Sequence, residues 1–152
     1  MGLADLHLHT IFSGDATCTV AAVLEQARRR NLDVIAITDH NSMQGVKHAR
    51  ELSVQYQVQV IPAMEISTAE GHLLAYEITA PIARGQALEE SILQVHEQGG
   101  FCIIPHPAAV ASHSIPLENL TKALEQELIA ETVIAMETLN GGFYRRKIGR
   151  AS

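Results

Sequence analysis

Residues 3–40 read LADLHLHTIFSGDATCTVAAVLEQARRRNLDVIAITDH, and this stretch decides the fold. Its opening LADLHLH alternates, and its closing LDVIAITDH is a short apolar run rich in β-branched side chains. Both patterns predict strands. Between them, TVAAVLEQARRRN (19–31) carries apolar residues at helical spacing. Thr19 is available to cap its start, and Arg28, Arg29 and Arg30 suit the negative end of its dipole. The three arginines read as a solvated helix end rather than a phosphate site.

The pattern continues down the chain. SMQGVKHARELSVQY (42–56) predicts a helix and VQVIPAMEI (58–66) a strand. GHLLAYEI (71–78) predicts the second arm of a hairpin. QALEESILQVHEQGG (86–100) is a helix closed by glycines, followed by the strand FCIIP (101–105). LENLTKALEQELI (117–129) predicts one helix and TVIAMETL (132–139) a last strand. Such alternation with short connections is the mark of an α/β fold with a parallel sheet and right-handed crossovers, open or closed into a barrel.

Composition narrows the function classes. The chain has 152 residues, 47% of them apolar and 18% charged, which suits a single globular domain spanning residues 1–152. The formal charge of −6 argues against an extensive nucleic-acid surface but leaves room for a small phosphorylated ligand. No signal peptide and no bilayer-spanning apolar run is evident, so no membrane partner is expected. Cys18 and Cys102 form no CxxC pair and read as reduced thiols of a cytoplasmic protein.

The histidines are the unusual feature. His7 and His9 stand two apart on a strand and share one face, while Leu6 and Leu8 face the other way, toward covering helices. Two imidazoles on the inner face of a sheet need hydrogen bonds or a metal. Later strands end alike: Asp39 and His40, then Glu65 with His72 across the hairpin, then His106, then Glu137. Ligand groups in α/β folds gather at the carboxyl ends of strands, so this placement points to metal. His48 and His96 fall inside predicted helices and read as ordinary exposed histidines. His113, in the loop after His106, could reach the site, but the favoured reading places it outside.

The segments DLHLHTIFSGDA, AITDHNS, AMEISTAEGHLLAY and IIPHPA resemble, in order, the four motifs of the PHP (polymerase and histidinol phosphatase) superfamily, from residue 3 to about residue 108. AMETLN resembles a further family strand. The resemblance implies a distorted (β/α)7 TIM-like barrel with two or three divalent metals at one mouth. It implies His7 and His9 as ligands of a first metal, Glu65 as a bridging carboxylate, His72 and His106 on a second metal, and Asp15 and His40 on a third. Asp39 is expected behind the ligands, orienting an imidazole. Glu137 either touches metal or supports the site. The family's last ligand pair, an Asp-x-His, does not follow Glu137 in this sequence. The expectation is therefore a fragment of a longer chain, the alternatives being a partner chain or second copy that covers the open barrel edge, or an incomplete site.

Mixed imidazole and carboxylate ligands suit zinc, manganese or iron. Two such ions about 3.5–4 Å apart suit phosphoester hydrolysis by a metal-bound hydroxide. The expected activity is that of a phosphatase on a small phosphorylated metabolite or nucleotide. Asp15, Asp39 or His113 would pass the proton to the leaving oxygen. Two other classes stand beside it: an exonuclease using the same metals on oligonucleotide ends, and a non-catalytic module held together by metal.

Overall fold

The apolar runs become strands because alternate side chains of each have somewhere dry to go. The computed structural model describes residues 2–107 and 113–138. Within them the strands are β1 (Ala4–Leu8), β2 (Val34–Ile37), β3 (Gln59–Ser67), β4 (His72–Tyr76), β5 (Phe101–Ile104) and β6 (Val133–Met136). The helices are α1 (Val20–Arg29), α2 (Gln44–Tyr56), α3 (Leu88–Glu97), α4 (Leu117–Ala123) and α5 (Glu127–Thr132). The strands lie side by side in chain order in one sheet, which curls into a half-barrel. Six strands stand among the described residues, where the resemblance implied seven. The expected end of the last strand at Leu139 lies outside the described residues.

Period-two alternation separates two environments. Ile35, Ile37, Met64, Ile66, Leu73, Cys102 and Ile104 face outward and are buried under helices. Leu24 of α1 with Val46 and Ala49 of α2 cover the first strands, and Ile92 and Val95 of α3 with Leu120 and Ile129 cover the last. Ala36, Ala63, Leu74 and Tyr76 form a separate apolar cluster with Phe101 and Ile103 on the opposite face. From there the Tyr76 hydroxyl donates to the Leu6 carbonyl at 2.8 Å, tying β4 to β1. Burial pushes the Tyr76 phenol far above its usual range, so it stays a donor.

The helix signals behave as read. Thr19 caps α1, its hydroxyl accepting from the Ala22 N–H at 3.2 Å. Arg28 and Arg29 pair with Glu25 in solvent, and Arg30 is exposed.

Three expectations are corrected. The sheet is mixed and not parallel throughout: β4 forms the expected antiparallel hairpin with β3 and also runs antiparallel to β5, while the other pairs are parallel. The hairpin turn at 68–71 leaves no room for a crossover. Residues 117–129 form two helices, not one. Ile129 lies nine residues beyond Leu120, about 180° round a continuous helix, yet both are buried; an extended Gln126 breaks the helix and turns Ile129 inward. Leu8 reaches the α1–α2 cluster as expected, but Leu6 remains 37% exposed on the outermost strand.

Candidate metal centre

All seven residues read as ligands converge at one end of the half-barrel. Glu65 is the hub. It enters from β3 and is only 1% exposed. Its Oε2 lies 3.0 Å from both His7 Nε2 and His9 Nε2. Its Oε1 lies 2.8 Å from His72 Nδ1 and 3.3 Å from His106 Nε2. One carboxylate thus serves β1 with one oxygen and β4 and β5 with the other. Burial alone would raise its pKa, but hydrogen bonds from His106, His7, His72 and His9 hold it far below the usual carboxylate range.

The third group sits nearer solvent. Asp15, its side chain 54% exposed, lies 3.3 Å from His40 Nε2 and 3.5 Å from His9 Nδ1. Burial would raise its pKa, but the Ser13 hydroxyl and the charges of His9 and His40 together bring it down. Ser13 also lies 2.9 Å from His9 Nδ1 and accepts from the His40 N–H, so this small residue sets two rings at once.

Spacing and polarity test whether these groups fit a metal. Bonds of about 2.0–2.1 Å in tetrahedral geometry put neighbouring ligand atoms roughly 3.3 Å apart. His7 Nε2 and His9 Nε2 are 3.1 Å apart, each 3.0 Å from Glu65. His40 Nδ1 is buried with no hydrogen-bond partner and faces Glu65 Oε2 at 3.7 Å. A buried nitrogen left unmatched costs stability unless something accepts its lone pair. Burial and the neighbouring imidazoles also lower its pKa, although Glu65 and Asp15 pull it upward, and this favours the neutral form that ligates. Three overlapping triads have the required convergence: His7, His9 and Glu65; His9, Asp15 and His40; His40, Glu65 and His72. The donor set fits divalent metal.

Two acids behave differently from one another. Glu137, left open by the sequence, contacts two of the candidate ligands: its Oε1 lies 2.6 Å from His7 Nδ1, and its Oε2 accepts from the His106 N–H at 2.9 Å. This turns His7 Nε2 inward and braces His106, whose backbone sits in the left-handed region at φ 35°. Asp39, expected to orient an imidazole, does not. Fully buried, it accepts from the Thr10 N–H at 2.6 Å and the Thr10 hydroxyl at 2.7 Å. Adjacent residues at a strand end point to opposite faces, so His40 faces the mouth and Asp39 faces α2. Its carboxylate pins the loop that follows His9.

The place of His113, open in the sequence, is beside His72. Its ring stacks on His72, with centroids 4.7 Å apart and planes at 11°, so it belongs to the site's wall. His48 and His96 are exposed, as read; His48 stacks on Phe12, and His96 meets Thr132. Ser13, Thr10 and Ser114 were not singled out from the sequence, because serines and threonines in loops give no periodic signal. Among the described residues, no helix is long and apolar enough to cross a membrane.

The sequence profile of the PHP domain matches residues 5–143. The chain belongs to the PHP domain family. Within the family, this PHP domain is 35% identical over 114 residues to an uncharacterised protein of Methanocaldococcus jannaschii, covering 68% of this chain and 67% of that one. It is 40% identical over 65 residues to the phosphoribosyl 1,2-cyclic phosphate 1,2-diphosphodiesterase of Eggerthella lenta, covering 43% of this chain but only 24% of the relative. A solved two-domain protein of Bacteroides vulgatus, described as containing a predicted PHP-like metal-dependent phosphoesterase, superposes with a TM-score of 0.68 at 23% identity. The match covers 83% of this PHP domain and 41% of that chain, and at that identity it shows a shared fold.

Proposed function

We propose that this PHP domain hydrolyses phosphoesters of a small phosphorylated metabolite or nucleotide, with two or three zinc, manganese or iron ions held by His7, His9, Asp15, His40, Glu65, His72 and His106. The observation that carries the reading is the division of Glu65: Oε2 serves His7 and His9, Oε1 serves His72 and His106. A carboxylate so placed suits a bridge between two ions. Bound at this centre, the ions supply Lewis acidity that activates water and neutralises phosphoryl oxygens. The chain's own groups do the rest. Glu137 and Ser13 orient His7 and His9. Asp15, at the open mouth beside His9 and His40, is placed to move a proton to the departing oxygen. Asp39 fixes the loop between the first ligands and Asp15 and takes no part in proton transfer. Among the described residues, the groups paired with Glu65 and Asp15 are histidines, and bound ions would add the positive charge that phosphate needs.

The test is to load the protein separately with zinc, manganese and iron, then follow metal content and release of product from a phosphomonoester, a nucleoside monophosphate and a short single-stranded oligonucleotide. Phosphate release from the small substrates is expected. Glu65→Gln should cut turnover by more than about a hundredfold, beyond the ten- to hundredfold typical of losing an outer supporting group, and should lower bound metal. Full activity in Glu65→Gln would defeat the bridging role. Cleavage of the oligonucleotide alone would replace the small-molecule reading with the exonuclease.

A further inference from the structure

The loop at residues 113–115 touches the centre in three ways that the proposed chemistry does not use. Ile115 is 5% exposed and joins the main apolar core, which anchors the loop. Ser114 donates its hydroxyl to the His106 carbonyl at 2.8 Å, and the same oxygen lies 3.4 Å from His106 Nδ1. His113 accepts from the His72 N–H through its carbonyl at 2.8 Å and lays its ring flat on the His72 ring. The other imidazoles around His72 meet it at steep angles, His40 at 56° and His106 at 69°. Of these three rings, only His113 lies against its flat face.

Gly71 makes this docking possible. It has φ +152°, and a Cβ there would come within 2.7 Å of the Ile115 N and 3.0 Å of the His113 carbonyl oxygen. The turn before it is held rigid, since the Thr68 hydroxyl donates to the Gly71 carbonyl and accepts from the Gly71 N–H. A side chain at position 71 would have to break these bonds or push the facing loop away. The close approach of two backbones is what sets His113 parallel to His72.

We infer that His113 is a positioning residue: its ring face fixes the His72 imidazole, and Gly71 sets the loop that delivers it. The inference rests on the reading of His72 as a metal ligand. A histidine free to turn about χ2 must be ordered each time it binds an ion; a stacked one is already aimed. Supporting groups around ligand histidines change metal affinity by about ten- to hundredfold, so the effect belongs in that range.

The experiment compares the whole protein with His113→Ala, His113→Phe and Gly71→Ala. Zinc affinity is measured by competition with a chromophoric chelator, the cobalt(II) absorption spectrum reports ligand geometry, and thermal melting of the metal-free forms reports fold. His113→Ala should bind zinc about tenfold more weakly. His113→Phe keeps a flat ring without nitrogens and should stay within about threefold of the parent, with an unchanged cobalt spectrum. Gly71→Ala keeps the imidazole but displaces it, and should match His113→Ala. If the parent binds no metal, the reading of the centre fails, and this inference with it. If the parent binds but His113→Phe is as weak as His113→Ala, a nitrogen is at work and the stacking role is overturned. Equal affinity in all four would also overturn it. Should Gly71→Ala melt far below the others, the comparison of the two His113 variants still decides.

Discussion

His7 shows how one side chain carries the site's pH dependence. Burial alone would lower its pKa, but its bonds to Glu137 and Glu65 outweigh burial and push it up to about 9. A raised pKa means that the protonated ring stabilises the metal-free fold, fully below about pH 6.5 and decreasingly as pH rises through 9. Glu65 works in the opposite sense: its depressed pKa gives stability above the ordinary carboxylate range, lost as pH falls. A metal can take His7 Nε2 only after that proton leaves. Metal affinity of the parent should therefore climb by close to tenfold per pH unit between pH 7 and 9, as expected for release of one proton. Glu137→Gln removes one acceptor charge, so the climb should move to lower pH while affinity at pH 9 falls about tenfold. Isothermal titration in buffers of different ionisation enthalpy counts the protons; an affinity flat from pH 7 to 9 would contradict the assignment. Strand-end position in the sequence singles out His7, His9, His40, Glu65, His72 and His106, and the structure brings these side chains together around Glu65; Asp15, in a loop, entered only through the family resemblance. Asp39 was misread because it is bonded to His40 in the chain yet faces the other way. His113 was left open because a loop's docking depends on a glycine more than 40 positions earlier, which no local pattern reports.

At the scale of elements, the start of α2 sets a local preference against a tertiary one. Gly45 lies in the first turn, where alanine would favour the helix by about 1 kcal/mol. Yet a Cβ at Gly45 would overlap Asp39 Oδ2 and press on Ile37 and on the Thr10 hydroxyl at 3.0 Å. These are the groups that pin the loop after His9. Gly45→Ala should therefore destabilise the protein, by about 1–3 kcal/mol on the scale of overpacked cores, and should weaken zinc binding along with it. Urea denaturation of the metal-free forms measures the first effect. A variant as stable as the parent would mean that helix propensity wins and that Asp39 tolerates displacement. The same contest explains which elements could be read. α1 announces itself, with a Thr cap and a basic end that agree with its apolar stripe. The break between α4 and α5 does not, because Leu-rich spacing continues straight through it. Only the need to bury Leu120 and Ile129 on one side forces the chain to bend at Gln126.

Across the whole molecule, the candidate ligands form a belt. β1 brings His7 and leads to His9; β2 leads to His40; β3 holds Glu65; β4 starts at His72; β5 leads to His106; β6 leads to Glu137, which bonds back to His7. Among the described residues, strands β1 and β6 are not paired with each other in the sheet, so that side-chain bond joins the two outermost strands at the mouth. Ions bound across the belt would tie five strand ends together and would leave the apolar layers unchanged. Metal held only by the native state adds about 4 kcal/mol when free metal exceeds its Kd a thousandfold. For a chain of this size each kcal/mol moves the melting temperature by about 2–4 °C, so loading should raise it by roughly 8–16 °C. Chelation should return it to the metal-free value without loss of helix signal, since the helices pack on the outer face, away from the belt. Glu65→Gln, which touches both halves of the belt, should lose most of the gain, whereas substituting exposed His96, which faces Thr132, should lose none. Scanning calorimetry with and without chelator measures all three. A melting temperature indifferent to metal in the parent would show that the strand ends are held by their own hydrogen bonds, and that the convergence on Glu65 needs no ion to stand.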